Sequence, residues 1–214
     1  QSRRCFYRPY KKLDFIFKRC IVLNMEAIKK IELNKAFKII LISIVGTLIL
    51  TISAKVKIPL GPVPQTMQTF VVLFLGIAFG AKIALLTVSL YLFEGIFGLP
   101  VFSGTPEKGL GLIYFTGPTM GYLIGFLIAT YIAGSFQYKD IFKDRISGFV
   151  INYIKLILAV SVIYILGLLW LGNIIGWDKP VFKFGAEPFL LAESFKILIL
   201  AILAGKINKL RNII

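Results

Sequence analysis

The chain consists of long apolar blocks separated by short segments that are charged or rich in proline and glycine. Hydrophobic residues make up 57% of the sequence, and the mean hydropathy of +0.84 lies far above that of a soluble domain. Because the blocks are continuous rather than alternating between apolar and polar residues, they disfavour a transmembrane β-barrel. The sequence therefore predicts an all-α, polytopic membrane protein.

Six of the blocks are suited to helices that cross a lipid bilayer, although the second is short for a crossing. An even number of crossings places both termini on one side of the membrane, together with the loops between helices 2 and 3 and between helices 4 and 5. The expected helices cover about residues 36–54, 66–79, 82–98, 118–135, 146–172 and 188–205.

Lysine and arginine are distributed unevenly between the two sides that this topology defines. Counting from Met25, eleven lie on the side of the termini and five on the other side, which predicts that both termini are cytoplasmic and that the protein lies in the cell membrane. The net charge of +15 does not indicate nucleic acid, because the basic residues lie at block ends rather than in a stripe with interleaved aromatics. The side of the termini carries Lys29, Lys30, Lys35, Lys38, Lys82, Lys139, Lys143, Arg145, Lys206, Lys209 and Arg211, and the other side carries Lys55, Lys57, Lys108, Lys179 and Lys183.

Some kinds of site are disfavoured by the composition. The sequence has no histidine, which is the commonest metal ligand and general base. Its two cysteines, Cys5 and Cys20, precede the first apolar block, so neither a disulfide framework nor a thiolate metal site is expected within the membrane. No GxxxxGKS/T loop is present to hold nucleotide phosphates. We therefore expect no metal, no cofactor and no ATP hydrolysis by this chain itself.

Residues 1–24 form a basic segment with seven lysine and arginine residues. Met25 then opens a run that resembles an ordinary start. The segment is either a cytosolic or targeting tail or upstream sequence read in frame, and we prefer the second interpretation. The expected organisation is thus a dispensable tail, residues 1–24, and a six-helix transmembrane domain, residues 25–214.

The last apolar block contains two charged residues, Glu193 and Lys196. A bare charge at bilayer depth costs about 2.5–3.5 kcal/mol on insertion scales. The i, i+3 spacing places both side chains on one helix face, where they can neutralise each other or share a polar site. Two interpretations remain open at this point: a structural ion pair, or a binding site that offers an acceptor and a donor to one polar ligand.

Three other features share the predicted outer side with Glu193 and Lys196. A loop at residues 55–65 contains three prolines within six residues, which forbids a helix and predicts an ordered, extended segment. The polar run that follows it, Gln65 to Thr69, faces either water or a cavity. A glycine-rich loop at residues 102–111 contains Lys108, its sole cation. Together these features predict an outward-facing polar pocket that captures an external solute.

Two stripes of small residues indicate close helix packing. Gly117, Gly121, Gly125, Ala129 and Ala133 recur every four positions in the fourth helix, where core packing or close approach to a ligand are the alternatives. Helix 1 carries a second stripe, whose partner is either a helix of the same chain or another subunit. Its members are Ser43, Thr47 and Thr51.

The segment IPLGPVPQTMQT at residues 58–69 resembles the helix 1–2 region of the BioY family, the biotin-specific substrate-capture (S) components of energy-coupling-factor transporters. Four further segments extend the resemblance from helix 3 to helix 6, in order and at fitting spacing. They are GLPVFSGTPEKG at 98–109, GPTMGYLIGF at 117–126, YILGLLW at 164–170 and PFLLAESFK at 188–196.

The chain departs from the family pattern at four positions. Glu193 stands where the family has aspartate, and Ala192 stands where glycine precedes it. Met120 replaces a usual glycine, and Glu94 replaces an apolar or small residue. Glutamate in place of aspartate keeps the charge and adds one methylene, so these departures bear on ligand specificity rather than on the family.

The resemblance implies an S-component-like bundle of six helices that binds biotin. Such a chain works with a transmembrane coupling (T) subunit and paired ATP-binding subunits, and on this view the Ser43, Thr47 and Thr51 stripe is the docking face for the coupling subunit. The family motif assigns Glu193 to a ureido N–H of biotin and Lys196 to the ureido carbonyl. We assign Lys108 to the carboxylate of biotin. The remaining expected contacts are Thr66, Gln68, Tyr91, Gly117, Tyr122 and Trp170.

Two other classes of function compete with capture of a solute. An integral-membrane enzyme would use Glu193 as a general base, but the chain lacks histidine, a catalytic cysteine and any metal-ligand cluster. A passive channel would need a continuous file of polar groups, whereas the acids and bases gather at one end. We therefore expect a transport component rather than an enzyme.

Overall fold

A computed structural model describes residues 34–59 and 62–213. The chain divides into two compact units, residues 1–40 and 41–214. Of the first unit, only the beginning of helix α1 (Asn34–Lys55) is described. The predicted basic tail, residues 1–24, lies outside the described residues.

The second unit is a bundle of apolar helices with short connecting elements. A two-stranded antiparallel hairpin follows α1 and is formed by β1 (Lys57–Ile58) and β2 (Gln65–Thr66). A 3-10 helix, Lys209–Ile213, ends the described chain. The helices after the hairpin are α2 (Gln68–Ile96), the short α3 (Leu112–Phe115), α4 (Met120–Ser135), α5 (Ile141–Ile175), the short α6 (Val181–Gly185) and α7 (Glu187–Asn208).

Helix α2 is interrupted at Gly80, whose backbone adopts φ 78° and ψ 171°. Only glycine adopts such a conformation without strain. The amide Nε2 of Gln68 donates to the hydroxyl of Tyr91 over 2.8 Å, although these residues would be about 34 Å apart in one straight helix. The two halves, 68–79 and 81–96, therefore run antiparallel beside each other.

Four described helices are long and apolar enough to cross a membrane, namely α1, α2, most of α5 and α7, and α4 is a shorter apolar helix. Because α2 consists of two antiparallel halves, the described bundle contains six main helices. The predicted all-α fold with six membrane helices is confirmed. The sequence did not predict α3, α6 or the pairing of β1 with β2.

Helix α4 lies between α2 and α5 and packs closely against both. A Cβ added at Gly125 would lie 2.7 Å from Cα of Ile163 on α5, and one added at Gly76 on α2 would lie 2.9 Å from the carbonyl oxygen of Thr130. Ala129 and Ala133 are completely buried. The small residues of α4 therefore serve core packing, as the first of the two alternatives predicted.

The stripe on α1 also faces the interior of this chain. Ser43 and Thr47 are 3% and 2% exposed, and Ser43 Oγ accepts a hydrogen bond from Thr87 Oγ1 on α2 over 3.3 Å. Thr51 is half-buried and donates to the carbonyl of Thr47. Ser43 and Thr47 therefore pack within this chain, as one of the two alternatives for the stripe predicted, and a docking face for another subunit at Ser43, Thr47 and Thr51 stays a prediction.

Arg211, near the end of the described chain, hydrogen-bonds to α2 just before the break at Gly80. Its Nε donates to the carbonyl of Ile77 over 2.9 Å, and its Nη2 donates to the carbonyl of Gly76 over 3.0 Å. These carbonyls belong to the last turn before Gly80, where a helix leaves its carbonyls without backbone partners. A guanidinium with several fixed donors satisfies two of them at once.

Candidate functional site

The site is built around the ion pair of Glu193 and Lys196 on α7. Lys196 Nζ lies 2.6 Å from Glu193 Oε1, and the two residues are 6% and 4% exposed. Thr69 Oγ1, near the beginning of α2, donates to the same carboxylate oxygen over 2.9 Å. The prediction that the i, i+3 spacing brings the two charges together on one face of the helix is confirmed.

All three N–H groups of Lys196 have an acceptor within the protein. Besides Glu193, the ammonium donates to the carbonyl of Thr66 over 2.6 Å and to Thr69 Oγ1 over 3.0 Å. A lysine ammonium has three donors, so none is left for a ligand in this arrangement. Lys196 therefore ties α7 to the hairpin and to the beginning of α2, and the predicted contact between Lys196 and a ligand carbonyl would require one of these hydrogen bonds to be exchanged.

A cavity of about 50 Å³ lies beside this pair. Of the predicted site residues, Thr66, Gln68, Tyr122 and Glu193 line it. Its apolar walls come from α4, α5 and α7, where sequence reasoning did not single out the lining residues. They are Leu123, Phe126, Ile163, Tyr164 and Phe189.

Three buried polar atoms on the cavity wall have no hydrogen-bond partner among the residues that the structure describes. They are Oε2 of Glu193, Nε2 of Gln65 and Oγ of Ser103. A buried polar atom without a partner costs about 1–3 kcal/mol, more if it is charged, and such atoms in native proteins call for an explanation. Because all three residues line one cavity, this cavity is the candidate binding site.

Gln65 and Ser103 were not among the predicted ligand contacts. Gln65 opens the polar run that the sequence placed against water or a cavity, so that pattern was the available signal. Ser103 lies in the glycine-rich loop and belongs to no periodic pattern, and nothing in the sequence distinguishes it from a solvent-exposed serine.

The loop that contains Ser103, residues 99–111, is here called the capping loop, and several side chains fix it. Tyr91 donates to the carbonyl of Val101 over 3.0 Å while it accepts from Gln68. Lys55 Nζ lies 3.1 Å from the carbonyl oxygens of Phe102 and Thr105. Tyr91 itself does not line the cavity. Its hydroxyl positions the capping loop, and its predicted ligand contact stays a prediction.

Tyr114 on α3 holds the backbone of Ser103. Its hydroxyl donates to the carbonyl of Ser103 over 2.9 Å, while its side chain lines the cavity. Burial raises the pKa of Tyr114, and a hydrogen bond with Thr119 opposes that shift. The hydroxyl therefore stays protonated and remains a donor at neutral pH.

The hydroxyl of Tyr122 donates to the carbonyl of Gly185 over 2.8 Å, so this residue offers its ring rather than its hydroxyl to the cavity. Trp170 Nε1 donates to the carbonyl of Gly117 over 2.9 Å. Neither Gly117 nor Trp170 lines the cavity. The two residues join α5 to the segment before α4, and their predicted ligand contacts stay predictions.

Lys108 is exposed in the capping loop and does not line the cavity. Its aliphatic stem lies over Gly104, where an added Cβ would be 2.9 Å from Cδ of Lys108. Gly104 follows Ser103 directly. The structure thus places the stem of Lys108 beside the neighbour of a lining residue, outside the cavity itself.

Comparisons with known proteins agree with one another. The family model described as "BioY family" matches residues 25–212. A probable biotin transporter BioY of Pyrococcus horikoshii is 32% identical over 158 residues, which cover 74% of this chain and 88% of that protein. The biotin transporter BioY of Thermotoga maritima is 31% identical over 164 residues, which cover 77% of this chain and 92% of that protein.

The fold has a solved counterpart, the crystal structure of the S-component for biotin from an ECF-type ABC transporter. The two structures superpose with a TM-score of 0.66 at 22% identity, over 82% of this chain and 93% of the other. At this identity the likeness shows the fold, and the family is shown by the sequence comparisons. The chain belongs to the BioY family.

Proposed function

We propose that this protein captures biotin from the external side of the cell membrane and delivers it for uptake. The observation that carries the proposal is the buried carboxylate of Glu193. One of its oxygens is held by Lys196 and Thr69, and the other borders the cavity with no partner among the described residues. An acceptor fixed in this way suits an N–H group of the ureido ring of biotin.

The apolar wall of the cavity supports the same ligand. The ring systems of Tyr122, Tyr164 and Phe126, together with Phe189, surround the space next to Glu193. The fused rings of biotin are apolar except for the ureido group, so an aromatic wall beside a few fixed polar atoms fits their chemistry. In this proposal Lys196 is a positioning residue, because it neutralises Glu193 and directs its free oxygen.

The cavity volume of about 50 Å³ is well below the ~300 Å³ at which small-molecule pockets usually begin. We therefore expect binding to move part of the wall. The hairpin β1–β2 and the capping loop form the wall nearest to Gln65 and Ser103. Their displacement would enlarge the cavity without disturbing the helices.

The carboxylate of biotin needs a second site. Lys108 remains our candidate, because it is the cation of the capping loop and its stem lies next to Gly104. An exposed lysine at the end of a flexible stem suits the tail of the ligand, which points away from the buried ureido end.

We propose that both termini are cytoplasmic and that the chain works with a coupling subunit and paired ATP-binding subunits. The uneven distribution of lysine and arginine supports the orientation. The absence of a phosphate-binding loop from the sequence supports a separate source of ATP hydrolysis. The enzyme alternative finds no support, because the curated relatives are named as transporters.

Equilibrium binding of radiolabelled biotin to the purified protein in lipid nanodiscs tests the proposal. We expect saturable binding at one site and a loss of at least about tenfold in affinity in Glu193→Gln, since this change removes a charged acceptor. Ser194→Ala is the matched control, because Ser194 is the exposed neighbour of Glu193 on α7. A folded wild-type protein that does not bind biotin would refute the proposed function.

A further inference from the structure

We propose that Gln65 and Ser103 complete the recognition of the ureido group, with Gln65 as the residue that selects its carbonyl oxygen. This inference rests on the proposed function, because it takes biotin as the ligand. It starts from three polar atoms on one cavity wall that come from three separate parts of the chain. Gln65 lies in β2, Ser103 lies in the capping loop and Glu193 lies in α7.

Each of the three residues is more than nine-tenths buried or at that limit. Gln65, Ser103 and Glu193 are 9%, 3% and 4% exposed. All three line the cavity, and Nε2, Oγ and Oε2 respectively find no hydrogen-bond partner among the described residues. Burying one unpaired polar atom is costly, so three such atoms around one cavity indicate a ligand that pairs with them together.

The three atoms match the hydrogen-bonding groups of a cyclic urea in number and kind. A ureido group has two N–H donors and one carbonyl acceptor. Gln65 Nε2 only donates, an ionised Glu193 Oε2 only accepts, and the hydroxyl of Ser103 can do either. Gln65 therefore donates to the carbonyl, Glu193 accepts one N–H and Ser103 accepts the other.

Contacts of the hairpin and of the capping loop orient the two added residues. Gln65 pairs with Ile58 in the hairpin, and the next residue, Thr66, is held by Lys196 through its carbonyl. The carbonyl of Ser103 is held by Tyr114. Because the ammonium of Lys196 is fully engaged by protein acceptors, Gln65 takes the role of donor to the ureido carbonyl.

An exchange of donor for acceptor at position 65 tests the assignment. The ligand pair is biotin and 2-iminobiotin, in which a C=NH₂⁺ group replaces the carbonyl at neutral pH, so that a donor replaces the acceptor. We expect the wild type to prefer biotin. Gln65→Glu should weaken biotin binding at least about tenfold, because the donor to the ureido carbonyl is lost. It should also shift the ratio of the two affinities towards 2-iminobiotin by about 100-fold, because the new carboxylate gains a charge-assisted hydrogen bond with that ligand.

The matched control is Gln137→Glu. Gln137 accepts from Asn208, which lies about 22 Å along α7 from Glu193. The substitution Gln137→Glu introduces the same charge far from the cavity and should leave the ratio of the affinities for biotin and 2-iminobiotin unchanged. If Gln65→Glu does not fold, Gln65→Met provides a neutral variant of similar length that should remove the preference for biotin. An unchanged ratio in folded Gln65 variants, with wild-type protein that binds biotin, would refute this assignment and leave the proposed function standing.

Ser103 is tested with biotin methylated on one or the other ureido nitrogen. If Ser103 accepts one N–H, Ser103→Ala weakens biotin but has no further effect on the analogue that lacks that N–H, while the other analogue still responds. Combining the change in the protein with the change in the ligand, as in a double-mutant cycle, isolates the contact between Ser103 and that N–H. An equal loss of affinity for all three ligands would show that Ser103 shapes the capping loop without contacting the ureido group.

Discussion

Lys196 Nζ lies 2.6 Å from Oε1 of Glu193, while Oε2 of the same carboxylate borders the cavity without a partner among the described residues. The carboxylate thus has one oxygen held by Lys196 and Thr69 and one buried oxygen without such a hydrogen bond. It also interacts electrostatically with Tyr164, which lines the same cavity. Such an arrangement differs from a purely structural ion pair, in which both oxygens are satisfied internally. In the proposed function it also separates the roles of the two residues, with Glu193 as the ligand's acceptor and Lys196 as the residue that positions it.

Removal of either charge should therefore impair capture, for different reasons. Breaking a buried pair leaves the other charge uncompensated at a cost of about 3–5 kcal/mol. We expect Glu193→Gln and Lys196→Met each to weaken biotin binding at least about tenfold, and Lys196→Met also to lower the unfolding temperature, because Lys196 joins α7 to Thr66 and Thr69. Isothermal titration and thermal unfolding measure the two effects. Wild-type affinity in both folded variants would make the pair merely structural.

The break in α2 depends on a contact from the end of the described chain. Arg211 donates to the carbonyls of Ile77 and Gly76, and hydrogen bonds from a charged group contribute about 1.5–3 kcal/mol each. Because Arg211→Met removes both hydrogen bonds, we expect it to lower the free energy of unfolding by about 3–6 kcal/mol. The folded Arg211→Met variant should bind biotin with unchanged affinity, because Arg211 does not line the cavity.

Lys209→Met is the matched control for Arg211. Lys209 pairs with Asp140 over 2.8 Å, but its side chain is 63% exposed, and surface ion pairs contribute only about 0–1 kcal/mol. Denaturant unfolding of the two variants side by side should separate them clearly. Equal stability in both would mean that the carbonyls of Gly76 and Ile77 do not need Arg211.

The outer limits of the helices follow well from the sequence, and several contacts do not. Uninterrupted apolar blocks define the crossings, and prolines after Lys55 end the first one. Periodicity along α1 shows that Ser43, Thr47 and Thr51 share a face, but it carries no information on which helix covers that face. The pattern alone therefore leaves open a helix of the same chain or another subunit, and in the structure Thr87 of α2 hydrogen-bonds to Ser43.

The sequence singles out the charged pair of the candidate site, Glu193 and Lys196, but not Gln65 and Ser103 as ligand contacts. The cost of two charges in an apolar helix identifies Glu193 and Lys196 from their spacing alone. Thr69, which holds one oxygen of Glu193, lies more than a hundred positions away, and the proposed roles of Gln65 and Ser103 depend on how the hairpin and the capping loop meet. Contacts between distant segments leave no periodic signal in one sequence.

The buried stripe leads to a prediction about Thr47. Since Thr47 is 2% exposed, Thr47→Leu has to fit a larger side chain into a packed interior, which costs about 1–3 kcal/mol. We expect a lower unfolding temperature, with binding and uptake reduced together. Leu48→Ile is the control, because Leu48 is 58% exposed on the same helix. If Thr47→Leu reduced uptake but left stability and biotin binding unchanged, the result would support a docking face at Ser43, Thr47 and Thr51.

Lys108 provides the test for the carboxylate end of biotin. Its position in the capping loop, outside the lined cavity, predicts a contact with the ligand tail rather than with the rings. A charge-assisted hydrogen bond there should contribute about 1.5–3 kcal/mol, or about ten- to a hundredfold in affinity. Lys108→Ala should therefore weaken biotin strongly and the amide of biotin only slightly, because the amide lacks the negative charge.

The control for this change is Lys57→Ala, which removes an exposed lysine of the neighbouring hairpin. We expect it to leave the ratio of the two affinities as in the wild type, whereas Lys108→Ala brings the affinities for biotin and biotin amide closer together. Competition binding with both ligands measures that ratio directly, and it is insensitive to any general loosening of the capping loop, which would weaken both ligands alike. If Lys108→Ala weakens both ligands by the same factor, Lys108 acts on the loop alone, and the carboxylate of biotin is held by another cation.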